Sequence, residues 1–214
     1  DDMNLAETAI TAAERLPLPD HALRFGISRL VGRTRRLLAE GTGPTDQDFA
    51  RSMSEWPIAV HTDGANAQHY ELPAAFFSLV LGPRRKYSSC LYASPATTLA
   101  EAEIAALEET CLHAELADGQ DILELGCGWG SLSLFMAERF PSGRIVSVSN
   151  SSSQRTYIEA EAKRRGLRNL TVITADMNAF SPHGTFDRIV SVEMFEHMSN
   201  WHCLLQRARS WIRD

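Results

Sequence analysis

The stretch Glu-Leu-Gly-Cys-Gly-Trp-Gly at residues 124–130 decides the fold of this chain. A short apolar run at residues 122–125 predicts a strand that leads into it, and residues 131–140 predict a helix that follows it. Glycines at a strand-to-helix turn permit a tight bend and let a ligand approach the backbone. Because open α/β sheets bind ligands at the carboxyl ends of their strands, the stretch predicts a ligand-binding turn in an α/β fold.

The sequence after this stretch alternates between strand and helix patterns. The predicted strands are residues 122–125, 144–149, 170–174 and 186–192, and the predicted helices are residues 131–140, 153–165 and 200–212. Strands that alternate with helices at this spacing predict βαβ units and a parallel sheet.

The sequence before the stretch is predominantly helical. Its predicted helices are residues 5–16, 20–40, 46–53 and 98–117. Thr97 or Thr98 can cap the last of these, with Glu101 or Glu103 in its first turn. The polar side of the helix at residues 20–40 carries Arg24, Arg29, Arg33, Arg35 and Arg36. Such a side is either solvated or a surface for an anionic partner or membrane.

Composition excludes several classes of protein. The chain has 214 residues, of which 44% are hydrophobic, so extensive disorder and a disulfide mini-scaffold are both excluded. Its net charge of −6 argues against nucleic-acid binding. Cys90, Cys111, Cys127 and Cys203 have no zinc-like spacing, so we expect reduced thiols, no metal and a cytoplasmic location. No apolar run is long enough for stable membrane insertion.

The glycine stretch does not fit a nicotinamide dinucleotide site. Its pattern is GxGxG rather than GxGxxG, because Ser131 stands where the longer pattern has glycine or alanine. A dinucleotide site also has an acidic residue at the end of the second strand, where this chain has Ser149 and Asn150. The third strand is followed by Asp176, which is either a ligand contact or a turn aspartate.

The glycine stretch, Asp176 and the fourth strand together resemble a class I S-adenosylmethionine methyltransferase. Further stretches resemble the cyclopropane-fatty-acid synthase superfamily and, within it, the coclaurine N-methyltransferase-like branch. They lie at residues 69–77, 86–92, 97–103, 149–154 and 192–198. The resemblance runs from about residue 66 to residue 214. It implies a Rossmann-like parallel sheet with a helical N-terminal extension, and S-adenosylmethionine as cofactor.

The resemblance also implies which residues hold the cofactor. They are Tyr87 and Ser88 at its amino-acid end, Gly126 and Gly128 at its methionine portion, Asn150 and Gln154 at the ribose, Asp176 and Met177 at the adenine, and Val192 at the end of the fourth strand. An amide in place of the usual carboxylate is chemically reasonable, because it can both donate to and accept from a diol.

Three residues after the fourth strand are the candidate catalytic groups. By the resemblance, Glu193, Glu196 and His197 face the substrate. Imidazole exchanges protons near neutral pH, so His197 is a natural base for an amine, and an adjacent carboxylate can orient the ring or attract an ammonium. The alternative is that the Glu-His pair only caps a helix.

These residues predict N-methylation of a small apolar or aromatic amine. One alternative is methylene transfer to a phospholipid, as in cyclopropane synthases, whose Tyr-Ser-Cys motif helps to hold bicarbonate. Ser89 stands at that cysteine position, which weakens this alternative. A second alternative is a non-catalytic cofactor-binding or interaction module. Residues 193–196 lack the Asn/Asp-Pro-Pro-Tyr/Phe motif of nucleic-acid base methyltransferases.

We expect residues 1–96 to form a helical extension that caps the active site, and residues 97–214 to form the cofactor-binding core. The class I resemblance implies a sheet of seven strands, and only four strands fit before residue 214. We therefore expect the last three strands to be missing from this chain, and a partner chain, as in a homodimer, could cover the open edge of the sheet.

Overall fold

The computed structural model describes residues 18–41, 45–60 and 74–213. The helix predicted at residues 5–16 and the stretch at residues 69–73 lie outside these ranges. The chain divides into two units, Asp1–Arg51 and Ser52–Asp214. The division predicted between residues 96 and 97, with a cap and a core, stays a prediction.

The first unit contains helix α1, Asp20–Glu40, with the bounds predicted from the sequence. It ends at Gly41, whose φ of 60° is readily adopted by glycine and whose N–H donates to the carbonyl of Leu38. Helix α2, Asp46–Ser52, begins with a reciprocal cap between Thr45 and Asp48. None of the residues of α1 is buried.

From residue 98 onwards the second unit follows the predicted order of strands and helices, and before that it contains a short helix at Ala74–Val80 that was not predicted. It contains a 3₁₀ turn Met53–Glu55, α3 Ala74–Val80, α4 Leu99–His113, β1 Asp121–Leu125, α5 Ser131–Arg139, β2 Arg144–Ser149, α6 Ser152–Arg165, β3 Leu170–Thr174, β4 Arg188–Ser191, a 3₁₀ turn Phe195–His197, and α7 Trp201–Trp211. Most predicted bounds agree within two residues. Helix α4 ends four residues early because Glu115 has a φ of 51° and the Leu116 N–H donates to the carbonyl of Cys111.

A capping box starts α4 and decides between the predicted caps. The side chain of Thr98 accepts from the N–H of Glu101, and the Glu101 carboxylate accepts from the N–H of Thr98. Glu103, the other candidate for the first turn, is fully buried.

The four strands of the described residues form a parallel sheet in the order β3-β2-β1-β4. One face carries an apolar cluster that joins Leu123 of β1 to Leu204 and Trp211 of α7. The other face packs Ile122 and Ile145 against α4 and α5. Because both faces are covered, β1 and β2 are almost continuously buried, as expected for parallel strands. The parallel α/β architecture predicted from the sequence is confirmed.

Candidate active site

The glycine loop connects β1 to α5 and opens towards the carboxyl edge of the sheet. The N–H groups of Gly126 and Cys127 both donate to the carbonyl of Val148, at 3.0 and 2.9 Å. Gly130 has a φ of 78°, and a Cβ there would lie 2.6 Å from Ile158, so this glycine permits close packing of the loop on α6. Gly128 has a φ of 49°, and a Cβ there would meet no atom of residues 18–41, 45–60 and 74–213 within 4 Å. This glycine therefore leaves space at the backbone that a ligand can occupy.

A cavity of about 500 Å³ lies above the carboxyl ends of the strands. It brings together eleven of the twelve site residues predicted from the sequence, which are Tyr87, Ser88, Gly126, Gly128, Asn150, Gln154, Met177, Val192, Glu193, Glu196 and His197. Its wall also contains Trp129, which is buried beside Phe77 of α3 with ring centroids 4.7 Å apart. The position agrees with the rule that α/β sheets bind ligands at this edge.

Asp176 is the one predicted site residue that does not line this cavity. One oxygen of its carboxylate accepts a 2.7 Å hydrogen bond from the N–H of Asn178, and its carbonyl accepts from Ala179 and Phe180. These contacts match the turn aspartate that was the alternative for this position. Its contact with adenine stays a prediction.

The polar end of β2 is arranged by short-range hydrogen bonds. Ser151 caps α6, and the Ser149 hydroxyl donates to Oε1 of Gln154 at 2.6 Å. Gln154 is 2% exposed, and its Nε2 has no hydrogen-bond partner among the residues that the structure describes. A buried amide donor is normally satisfied, so this nitrogen is suited to an acceptor of a ligand in the cavity.

Glu193 follows β4 with a φ of 53°, which is unusual for a residue other than glycine. Its carboxylate accepts hydrogen bonds from the hydroxyls of Ser88 and Ser89. These two hydrogen bonds lower the pKa of Glu193 from its ordinary value. These hydrogen bonds could not be predicted from the sequence, because they join residues more than 100 positions apart.

Glu196 and His197 lie on the 3₁₀ turn Phe195–His197, and both residues line the cavity. The N–H of the Trp201 indole donates to the carbonyls of Phe195 and Met198, at 2.8 and 3.0 Å, and so braces this turn. The cap of the following helix α7 is Asn200, whose side chain accepts from the N–H of Cys203. The Glu-His pair therefore does not serve as the cap of α7.

Glu124 begins the glycine stretch and is a buried carboxyl at the base of the cavity. Burial raises its pKa to about 7, although hydroxyls of Ser133 and Ser147 both donate to its Oε2 and oppose the shift. Glu124 was predicted as part of the glycine motif, but its burial and its two serine partners were not predicted.

Two further properties bear on the function. Among the described residues no group of three or more His, Cys, Asp or Glu side chains is arranged to hold a metal ion. No helix in the described ranges is both long and apolar enough to cross a membrane.

The chain has the fold of a class I methyltransferase. This fold combines a parallel sheet in the order β3-β2-β1-β4 with a glycine loop after the first strand and a cavity at the carboxyl edge. The family model described as mycolic acid cyclopropane synthetase matches residues 60–214. The chain belongs to this cyclopropane synthase-like family.

Its relatives include two kinds of enzyme. The chain is 39% identical over 165 residues to (S)-coclaurine N-methyltransferase of Thalictrum flavum subsp. glaucum, covering 77% of this chain and 46% of the relative. It is 37% identical over 131 residues to cyclopropane-fatty-acyl-phospholipid synthase of Escherichia coli (strain K12), covering 61% of this chain and 32% of the relative.

A solved structure has the same fold over most of the chain. It is coclaurine N-methyltransferase bound to N-methylheliamine and SAH, with a TM-score of 0.79 and 38% identity. The match covers 88% of this chain and 57% of that structure. The chain thus spans about half the length of the curated N-methyltransferase that it matches.

Proposed function

We propose that this chain belongs to an S-adenosylmethionine-dependent methyltransferase that N-methylates a small amine of apolar or aromatic character. The observation that carries the proposal is that the glycine loop lines the same cavity as Glu193, Glu196 and His197. The N-methyltransferase relatives support the choice of an amine over other acceptors.

The residues present fit the cofactor. The open space at Gly128 allows a ligand to contact the backbone of the loop, and the unpartnered Nε2 of Gln154 can donate to an acceptor of the ribose or its surroundings. Tyr87 and Ser88 line the same cavity. When bound, S-adenosylmethionine supplies a methyl group on a positively charged sulfur, which an aligned nucleophile can attack.

The protein residues would prepare the amine for that attack. An amine is mostly protonated at neutral pH, so it has to lose a proton before its lone pair can form a bond. His197 accepts this proton, and Glu196 beside it orients the ring or attracts the ammonium. The carboxylate of Glu193 attracts the cationic substrate, because the serine hydrogen bonds favour its ionised form.

The remaining wall suits an apolar or aromatic body. Leu107, Val192, Met194 and Met198 line the cavity along with the polar groups. Methionine side chains adapt to irregular shapes and make favourable contacts with aromatic rings. Holding the amine between these residues would align it with the methyl group and exclude water.

The proposal is tested by binding and turnover. Calorimetry of the purified chain with S-adenosylhomocysteine should show one-site binding. Incubation with S-adenosylmethionine and a panel of cyclic benzylic amines, simple alkyl amines and phospholipid vesicles should yield methylated product from the amines. Methylene transfer to lipid would favour the cyclopropane synthase alternative. If the chain binds the cofactor but forms no product from the amines or the vesicles, the non-catalytic alternative would be favoured.

We further propose a cytoplasmic location and a homodimer. The four cysteines are all free thiols, which supports a reducing compartment. Within the described part of the chain β4 pairs on one side only, which supports an association that covers its other edge. Light scattering of the purified chain would test the dimer, since a monomer has a mass of 23.7 kDa.

A further inference from the structure

One wall of the cavity is an irregular segment between α3 and α4. We call residues 82–91 the strap. Four consecutive strap residues line the cavity, namely Arg85, Lys86, Tyr87 and Ser88. Ser88 and Ser89 also donate to the Glu193 carboxylate. The position of the strap therefore sets both the shape of the cavity and the environment of Glu193.

The local conformation of the strap is not favoured by its own residues. Arg85 has a φ of 52° and Ser89 a φ of 58°, and both are L-residues with a Cβ. A left-handed conformation is unfavourable for such residues, because the Cβ comes too close to the following carbonyl oxygen. Contacts from outside the strap must therefore hold it in place.

Glu103 of α4 supplies such a contact from within the core. It is 0% exposed, and each of its carboxylate oxygens accepts one strap N–H, from Arg84 at Oε2 and from Lys86 at Oε1, both at 3.0 Å. A buried carboxylate is costly unless it is satisfied, so this pair of hydrogen bonds is a specific arrangement and not a chance surface contact.

The start and the end of the strap are fixed on the same part of α4. A Cβ added to Gly82 would lie 2.5 Å from the carboxyl carbon of Glu103, so the glycine allows the carboxylate to reach the strap. At the other end, the N–H of Leu91 donates to the carbonyl of Ala102 at 3.0 Å. The carboxylate thus holds the first half of the strap, where the cavity residues begin.

We propose that Glu103 is a positioning residue for the active site. Its carboxylate holds the strap in the conformation that places Tyr87 and Ser88 on the cavity and brings Ser88 and Ser89 to Glu193. What the cavity binds rests on the proposed function, whereas the effect of Glu103 on the strap does not.

Glu103→Gln tests the proposal with little change of shape. A glutamine can accept only one of the two strap N–H groups, because its NH₂ faces the other. We expect hydrogen exchange of the amides at residues 84–91 to rise at least tenfold, while exchange in β1 and β2 stays unchanged. Affinity for S-adenosylhomocysteine, measured by calorimetry, should fall about tenfold. The matched control is Glu101→Gln in the same helix. Glutamine at this position keeps the capping box, so neither the exchange at residues 84–91 nor the affinity for S-adenosylhomocysteine should change.

A second pair of variants reaches the same contact from the strap. Gly82→Ala should raise exchange at residues 84–91 because the methyl group displaces the carboxylate. The double variant Gly82→Ala, Glu103→Ala should show the same exchange at residues 84–91 as Glu103→Ala alone, because the carboxylate is already absent. Fully additive effects of Gly82→Ala and Glu103→Ala would overturn the proposal, and so would unchanged strap exchange in Glu103→Gln.

The affinity measurement separates this proposal from the proposed function. If the unmodified chain does not bind S-adenosylhomocysteine, the proposed function fails, and the exchange data still decide the role of Glu103 in holding the strap. If the unmodified chain binds and Glu103→Gln loosens the strap without weakening the binding, Glu103 does not position the site.

Discussion

The hydroxyl of Ser89 donates a 2.5 Å hydrogen bond to Oε1 of Glu193. With the parallel contact from Ser88, it connects the strap to the second residue beyond β4. Both hydroxyls stabilise the ionised carboxylate and so lower the pKa of Glu193. A cationic substrate would meet this carboxylate in its charged form.

The double substitution Ser88→Ala and Ser89→Ala removes these hydrogen bonds and should raise the pKa of Glu193. A depressed pKa keeps the carboxylate charged to lower pH, so its loss should move the acidic limb of the kcat/KM profile to higher pH. The profile is measured with the best amine of the panel. Ser94→Ala serves as control because Ser94 contacts Ala96 and Thr97 instead. An unmoved acidic limb in the double variant would contradict this role of the serines.

Gly128→Ala should abolish cofactor binding and leave the fold intact. The new methyl group meets no atom in the described part of the chain, so the cost to folding is that of a left-handed alanine, about 1–2 kcal/mol. Gly166→Ala is the matched control, because Gly166 also has a positive φ of 73° and open space. Both variants should lose similar stability in urea, and only Gly128→Ala should lose calorimetric binding of S-adenosylhomocysteine. Equal binding by the two variants would place the cofactor elsewhere.

Glu124 should make the stability of the ligand-free chain fall between about pH 4.5 and pH 7. Its pKa is raised in the folded state, so over this range the folded chain keeps a proton that the unfolded chain has lost. With a folded-state pKa of about 7, the free energy of unfolding should fall by about 3 kcal/mol across this window. Glu124→Gln removes the titration and can still accept from Ser133 and Ser147.

Urea unfolding at several pH values checks this prediction. The free energy of unfolding of the Gln variant, compared with the unmodified chain, should increase with pH through this window and then level off. A constant difference at all pH values would show that Glu124 titrates normally.

His197→Ala should lower kcat by about 10²–10⁴-fold, the usual contribution of a general base, with cofactor affinity unchanged. Raising the pH should partly restore the rate, because more of the amine is then unprotonated. His202→Ala is the control, since His202 is exposed on α7 and does not line the cavity. If His197→Ala and Glu196→Ala both keep normal turnover, the assignment of proton transfer to this pair is wrong.

The parts of the fold that could be predicted are those that depend on neighbouring residues. The bounds of β2, Arg144–Ser149, and of β3, Leu170–Thr174, agree with the prediction because each apolar run is short and bounded by turn residues. The glycine loop was predicted as a ligand-binding turn, and it lies on the cavity. The grouping of eleven predicted residues there follows from parallel strands, whose carboxyl ends share one edge of the sheet.

The parts that could not be predicted depend on contacts between distant segments. Glu103 was considered only for the first turn of α4, although its spacing from Ala106 and Leu107 places it on the apolar face of that helix. That spacing was the available signal for a buried carboxylate. Its partners are backbone N–H groups of the strap. They cannot be recognised from the sequence, because every residue except proline has a backbone N–H. The contact of Ser89 with Glu193 could not be predicted for a different reason, since it joins two side chains 104 positions apart in the sequence.

The most direct test of the account is methyl transfer from S-adenosylmethionine that carries a CD₃ group. The chain, the labelled cofactor and the amine panel are incubated with phospholipid vesicles in one reaction, and the products are identified by mass spectrometry. We predict an amine that gains an intact CD₃ on nitrogen, with no change in the lipids. Lipid that gains a labelled CD₂ unit, or an absence of labelled amine when the chain demonstrably binds the cofactor, would contradict it.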